Sequence, residues 1–161
     1  MNRINWILKD YLERTMANNL KYGDLTEKII GCAMTVHRKM GTGYNELIYS
    51  RCLAIELEKA GLKFIKEMEW PVYYEEIIVG KRRVDFMVED KIAVEIKALQ
   101  EVGNKELAQG LNYLESHKIE IGLLINFGAP SLQFKRLINE QRLLKEKDPA
   151  NPIFKSDNPR L

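Results

Sequence analysis

Apolar positions along this chain change period several times, and each change marks an element. Over residues 1–22, Ile4, Ile7, Leu8 and Leu12 recur at helical spacing, which predicts an amphipathic helical extension. Asp24-Leu25-Thr26-Glu27 has the form of a capping box. The helix it opens carries Ile29, Ile30, Ala33 and Val36 inward, and Gly41 and Gly43 end it. A second helix runs from about Asn45 to Ala60, with Ile48, Cys52, Ile55 and Leu57 apolar and Gly61 as its stop.

Strand signals follow. Leu62 to Trp70 is one run, Val72 to Tyr74 with Ile77 to Val79 another, and Arg83 to Lys97 reads as a hairpin. Helical period returns over Glu106 to Glu115, with Leu107, Leu111 and Leu114 in register. Ile121 to Asn126 is almost wholly apolar, as expected of a strand buried on both faces. Gly128-Ala129-Pro130-Ser131 makes a turn, and a last helix carries Lys135 and Arg136. From Lys145 the chain is polar and punctuated by proline, the composition of a poorly ordered tail. The order is helix, helix, about three strands, helix, strand, helix: an α/β domain over residues 23–144, with an extension before it and a tail after it.

The hairpin holds the candidate chemistry. Side chains alternate across a strand, so Ala93, Glu95 and Lys97 share one face while Ile92, Val94 and Ile96 share the other, apolar one. Asp85 joins Glu95 and Lys97 only if an odd number of residues connects the strands, as Glu89-Asp90-Lys91 would. A two-residue Asp90-Lys91 turn would set Asp85 opposite Ile96, on the wrong face. The residues therefore predict a three-residue connection or a bulge. Two carboxylates beside an ammonium suit a hard divalent cation and a phosphodiester. Taken alone, the trio also fits the solvated face of an ordinary hairpin.

Composition narrows the class without deciding it. The chain has 161 residues, 45% hydrophobic and 30% charged, which fits one soluble domain with a sizeable core. Its 25 basic and 23 acidic residues leave a formal charge of +2, so any nucleic-acid site must be a local patch. Cys32 and Cys52 lack metal-ligand spacing and fit reduced thiols in a cytoplasmic protein. No apolar run reaches membrane-spanning length, so no membrane partner is expected.

The element order, with Asp85 and Glu95-Ile96-Lys97, resembles the PD-(D/E)XK nuclease superfamily. Gly43-Tyr44-Asn45-Glu46-Leu47-Ile48-Tyr49 is similar to the signature of its GxxExxY family. Val36-His37, Gln109-Gly110-Leu111-Asn112-Tyr113 and Leu124-Ile125-Asn126-Phe127-Gly128 resemble further stretches of that family. Together they cover roughly residues 25 to 140. Val84 stands where the superfamily's name has proline, and Glu75-Glu76 where the family often has a glycine-containing turn.

The resemblance implies a restriction-endonuclease-like α-β-β-β-α-β core and hydrolysis of phosphodiester bonds, with DNA as the expected substrate. It implies that Asp85, Glu95 and the Ile96 carbonyl hold Mg²⁺ or Mn²⁺, and that Lys97 orients the attacking water or stabilises the developing charge. Glu46 would complete the metal shell, its alternative being a favourable interaction with the helix N-terminus. Gln109 would polarise water or contact phosphate, and Tyr113 would face the site or pack in the core. Tyr49 reads as packing and His37 as a packed or hydrogen-bonded residue. Lys81-Arg82-Arg83 could grip phosphates or form only a solvated turn. Two rivals stand beside the nuclease reading: a non-catalytic module binding nucleic acid or protein, and a homodimer built through residues 1–22.

Overall fold

The computed structural model describes residues 21–140. In chain order the elements are α1 (Gly23–Met40), α2 (Glu46–Lys59), β1 (Phe64–Tyr74), β2 (Ile77–Val88), β3 (Ile92–Lys97), α3 (Asn104–Ser116), β4 (Ile121–Asn126) and β5 (Gln133–Ile138). The strands form one sheet in the order β1-β2-β3-β4-β5. Only β3 and β4 run parallel, and every other neighbour is antiparallel. A parallel pair needs a crossover; here α3 supplies it. The result is the mixed α/β architecture read from the sequence, a sheet flanked by helices, consistent with a restriction-endonuclease-like fold.

Two apolar layers hold the sheet. On one face Ile29, Ala33, Val36, Tyr49, Leu53 and Leu57 of α1 and α2 pack on Phe86, Val88, Ile92, Val94, Ile96, Ile121, Leu123 and Ile125. On the other face Tyr113 and Leu114 of α3 pack on Val84, Met87, Ala93, Leu124 and Leu137. Strand β4 is buried throughout, which is why its sequence is an apolar run without alternation. Each fully buried leucine or isoleucine contributes about 1.5–3 kcal/mol by leaving water. Gly41, at φ 68, caps α1 by donating its N–H to the His37 carbonyl, and Gly61, at φ 72, follows α2.

Several expectations are corrected. The segment with Lys135 and Arg136 is strand β5, not a helix. It is covered on both faces, so it needs apolar residues of opposite parity: Phe134 joins the α1–α2 layer and Leu137 the α3 layer. Their three-residue spacing imitates a helical period. The two short runs around Glu75-Glu76 are the ends of two long strands. Glu75 and Glu76 form the tight connection between them, with φ 47 and 68. Asp24 does not cap α1. The cap position is Tyr22, without a side-chain cap bond, and Thr26 Oγ1 donates instead to the Tyr22 carbonyl at 2.8 Å. The inward residues of α2 are Tyr49, Ser50, Leu53 and Leu57, while Ile55 faces solvent. The predicted extension, apart from Lys21 and Tyr22, and the predicted tail lie outside the described residues.

Candidate active site

The connection between β2 and β3 has three residues, Glu89-Asp90-Lys91, the length that the parity of Asp85 demands. Lys91 N–H donates to the Val88 carbonyl at 3.0 Å, and Glu89 and Asp90 adopt φ 52 and 55. Val88 pairs with Ile92, Met87 with Ala93 and Phe86 with Val94, and one further step sets Asp85 level with Glu95. At that step the side chain replaces the backbone: Asp85 Oδ2 accepts the Ile96 N–H at 2.7 Å.

Asp85 also marks an inflection in β2. Val84 and Phe86 have the same parity, yet Val84 packs in the α3 layer and Phe86 in the α1–α2 layer. The neighbouring β1 changes sides at the same level. Phe64 lies against the α1–α2 layer, Met68 and Trp70 lie against α3, and Glu67 between them has φ 55. This coupled irregularity swings the outer halves of both strands over α3. It leaves the half-buried Asp85 where β2 parts from β3.

The two carboxylates are in electrostatic tension. Burial and then the neighbouring Asp85 push the Glu95 carboxyl up to about 7, against the pull of Lys97 and Arg82. Lys97 Nζ stands 3.6 Å from Glu95 Oε1. Burial also raises Asp85, partly offset by the Ile96 hydrogen bond and by Lys97 and Arg83. Two half-buried acids, both raised by burial and one pushed further by the other, form the donor set that a divalent cation relieves. Asp85, Glu95 and the Ile96 carbonyl offer the oxygen ligands such an ion takes, so the residues fit it. Among the described residues no group of three or more His, Cys, Asp or Glu side chains is placed to hold a metal.

A small cleft of about 40 Å³ opens beside Glu95 and Lys97, under α3. That is room for a few waters. Glu106, Gln109 and Tyr113 reach it from successive turns of α3, and Arg82 from β2. Helix and sheet approach closely because position 110 is glycine: a Cβ there would meet Leu137 Cδ1 at 2.4 Å. Tyr113 is 5% exposed, its ring stacks on Trp70 at 5.7 Å, and its hydroxyl has no hydrogen-bond partner among the described residues. Burial, then Glu95, push that hydroxyl's pKa well up. Glu106 escaped the sequence reading. Its one signal is its place a turn before Gln109, and its Oε2 also accepts the Gly103 N–H at 2.9 Å.

The loop after Lys97 is held by one buried amide. Asn126 Oδ1 accepts from Leu99 N–H at 2.8 Å and Gly128 N–H at 3.1 Å, and its Nδ2 donates to the Leu99 carbonyl and to Gln133 Oε1, both at 2.9 Å. Phe127 N–H donates to the Lys97 carbonyl at 2.8 Å. Lys97 therefore leaves its strand into a rigid setting.

Other candidates stand apart. Glu46 is exposed in the first turn of α2, which packs on the sheet face opposite to Glu95 and Lys97, and among the described residues it does not join Asp85 and Glu95 in a three-carboxylate group. The basic triplet lies on a strand, not a turn, and alternation splits it. Arg82 faces α3, donating to Asn112 Oδ1 at 3.0 Å and to the Gln109 carbonyl at 2.5 Å. Lys81 and Arg83 instead pair with Glu69 and Glu67, at 3.4 and 3.9 Å. Tyr49 is structural: it stacks on Phe127 at 4.8 Å and donates its hydroxyl to the Gly41 carbonyl at 2.7 Å. His37 Nε2 bonds the Ala129 carbonyl at 2.9 Å.

A family model for the PD-(D/E)XK nuclease superfamily matches residues 23–137. No curated protein matches the chain. A solved structure titled "Crystal structure of SSO0001" aligns at 13% identity with a TM-score of 0.46, covering 100% of this chain and 90% of that one. No described helix is long and apolar enough to cross a membrane.

Proposed function

From the premise that this chain belongs to the PD-(D/E)XK nuclease superfamily, we propose that it is a metal-dependent phosphodiester hydrolase of the GxxExxY type acting on DNA. The observation that carries the reading is the level placement of Asp85 and Glu95 beside Lys97, two carboxyls raised by burial, with Asp85 pushing Glu95 further. In this reading Asp85, Glu95 and the Ile96 carbonyl hold Mg²⁺ or Mn²⁺. Such an ion, when bound, lowers the pKa of water and offsets charge on the scissile phosphate.

The chain's own residues supply the rest. Lys97, held 3.6 Å from Glu95, places a cation where charge develops on a phosphate or its attacking water. Gln109 lines the cleft and can orient that water or bind a phosphate oxygen. Arg82 offers the cleft a guanidinium already fixed by Asn112. Lys81 and Arg83 would add salt-dependent contacts from the other side of the strand. Glu46 would act from outside the pair, at the N-terminus of α2.

Calorimetric titration of Mn²⁺ and Mg²⁺ into the wild type and Glu95→Gln, alone and with a short DNA duplex, tests the proposal. Saturable binding lost in the variant, with metal-dependent cleavage of duplex or single-stranded DNA, is the expected result. A folded protein that binds no metal under any of these conditions would overturn it and favour a non-catalytic binding module.

A further inference from the structure

Strands β1 and β2 run beyond the rest of the described chain as a two-stranded ribbon. Only Phe86 to Val88 of β2 pair with β3, and α3 covers Arg82 and Val84. Every residue from Pro71 to Lys81 is exposed. This stretch is nonetheless among the most apolar on the surface: Val72, Tyr73, Tyr74, Ile77, Ile78 and Val79 are each 38–67% exposed. Tyr73 pairs with Ile78 and Tyr74 with Ile77, so both ribbon faces are apolar. A two-stranded ribbon without a partner layer is marginal in water, and an apolar patch of this kind marks an interface.

We propose that this ribbon is the contact between two copies of the chain, packed about a two-fold axis. Three observations select a second copy. The six side chains divide between the two faces, so a symmetric contact through one face buries on the order of 600 Å², the scale of a weak dimer that forms as concentration rises. Their composition, aromatic and β-branched with no charge between Val72 and Tyr74 or between Ile77 and Val79, is that of a homodimer core. Charge disfavours nucleic acid, because Glu75 and Glu76 sit at the apex. In an antiparallel arrangement those glutamates meet the partner's ribbon base, where Lys81 stands exposed.

The described chain cannot cover the ribbon itself. Lys21 pairs with Glu120, Lys91 lies over the Tyr22 ring, and Ile138 pairs with Ile121. Both ends of the described chain therefore lie at the β2–β3 turn, about 35 Å down β2 from the apex. Pro71 removes a donor from β1, and the proposed contact runs through side chains.

Sedimentation of the full chain over a range of concentrations, beside Ile77→Glu/Ile78→Glu, is the test. The expected result is a dimer that the double variant converts to a monomer with an unchanged far-ultraviolet dichroism spectrum. Hydrogen exchange of the wild type decides the matter even if that variant misfolds: protection over residues 71–81 should rise with protein concentration. A monomeric wild type, a dimer that survives the double variant, or dimerisation without added protection there would each overturn the proposal. A monomer whose double variant loses duplex binding would assign the ribbon to nucleic acid instead, and would equally overturn it.

Discussion

The Asp85 carboxylate accepts the Ile96 backbone N–H at 2.7 Å, so a side chain on one strand takes a donor that belongs to its neighbour's ladder. This bond fixes the acid level with Glu95, whose carboxyl the Asp85 charge then pushes up. Asp85→Asn keeps an acceptor for Ile96 but removes the charge. The Glu95 carboxyl should then fall from about 7 toward its ordinary range, followed by the pH dependence of its side-chain carbon resonance. An unchanged titration would mean that burial alone sets it.

Glu95 also gives stability a pH dependence. Between its ordinary 4.5 and about 7 the folded chain keeps a proton that the unfolded chain has released. The metal-free protein therefore loses stability as pH rises through that window. Glu95→Gln removes the effect. Its Tm should exceed the wild type's by about 3 °C at pH 8, the shift expected of roughly 1 kcal/mol after solvent screening, and match it near pH 4.

Manganese should reverse that loss. At a hundredfold excess over Kd a ligand stabilises the folded state by about 2.7 kcal/mol, so wild-type Tm at pH 7.5 should rise clearly with Mn²⁺ and that of Glu95→Gln should not. Below pH 7 binding should release a proton, read as a buffer-dependent calorimetric enthalpy. Glu46→Gln, outside the Asp85–Glu95 pair, should keep the thermal response and lose less than about tenfold in affinity.

The setting of Lys97 depends on Asn126. Asn126→Ala leaves the Leu99 N–H and carbonyl unpaired in a part-buried site, and should cost about 2–4 kcal/mol in urea unfolding. Gly128→Ala should be of similar severity, because its Cβ would stand 2.4 Å from the Leu99 carbonyl oxygen, a backbone atom that cannot step aside. Gly110→Ala meets only the end of the flexible Leu137 side chain and should be milder.

What the sequence determined on its own was local. Strand alternation is a strict period of two, so Glu95 and Lys97 had to share a face, and Asp85 could join them only across an odd connection. Glu89-Asp90-Lys91 meets that condition. The almost wholly apolar Ile121–Asn126 run announced a strand covered on both sides, and it is one. Tertiary structure decided whatever depends on what lies across the sheet. Phe134 and Leu137 look helical until two layers of helices claim opposite faces of β5. Lys81, Arg82 and Arg83 look like one patch until alternation and Glu67, Glu69 and α3 divide them. Glu46 and Glu106 differ little as sequence, but one helix lies behind the sheet and the other lies over the cleft. Period and connection length are properties of the chain itself, whereas layer and partner are set by the free energy of packing distant segments together.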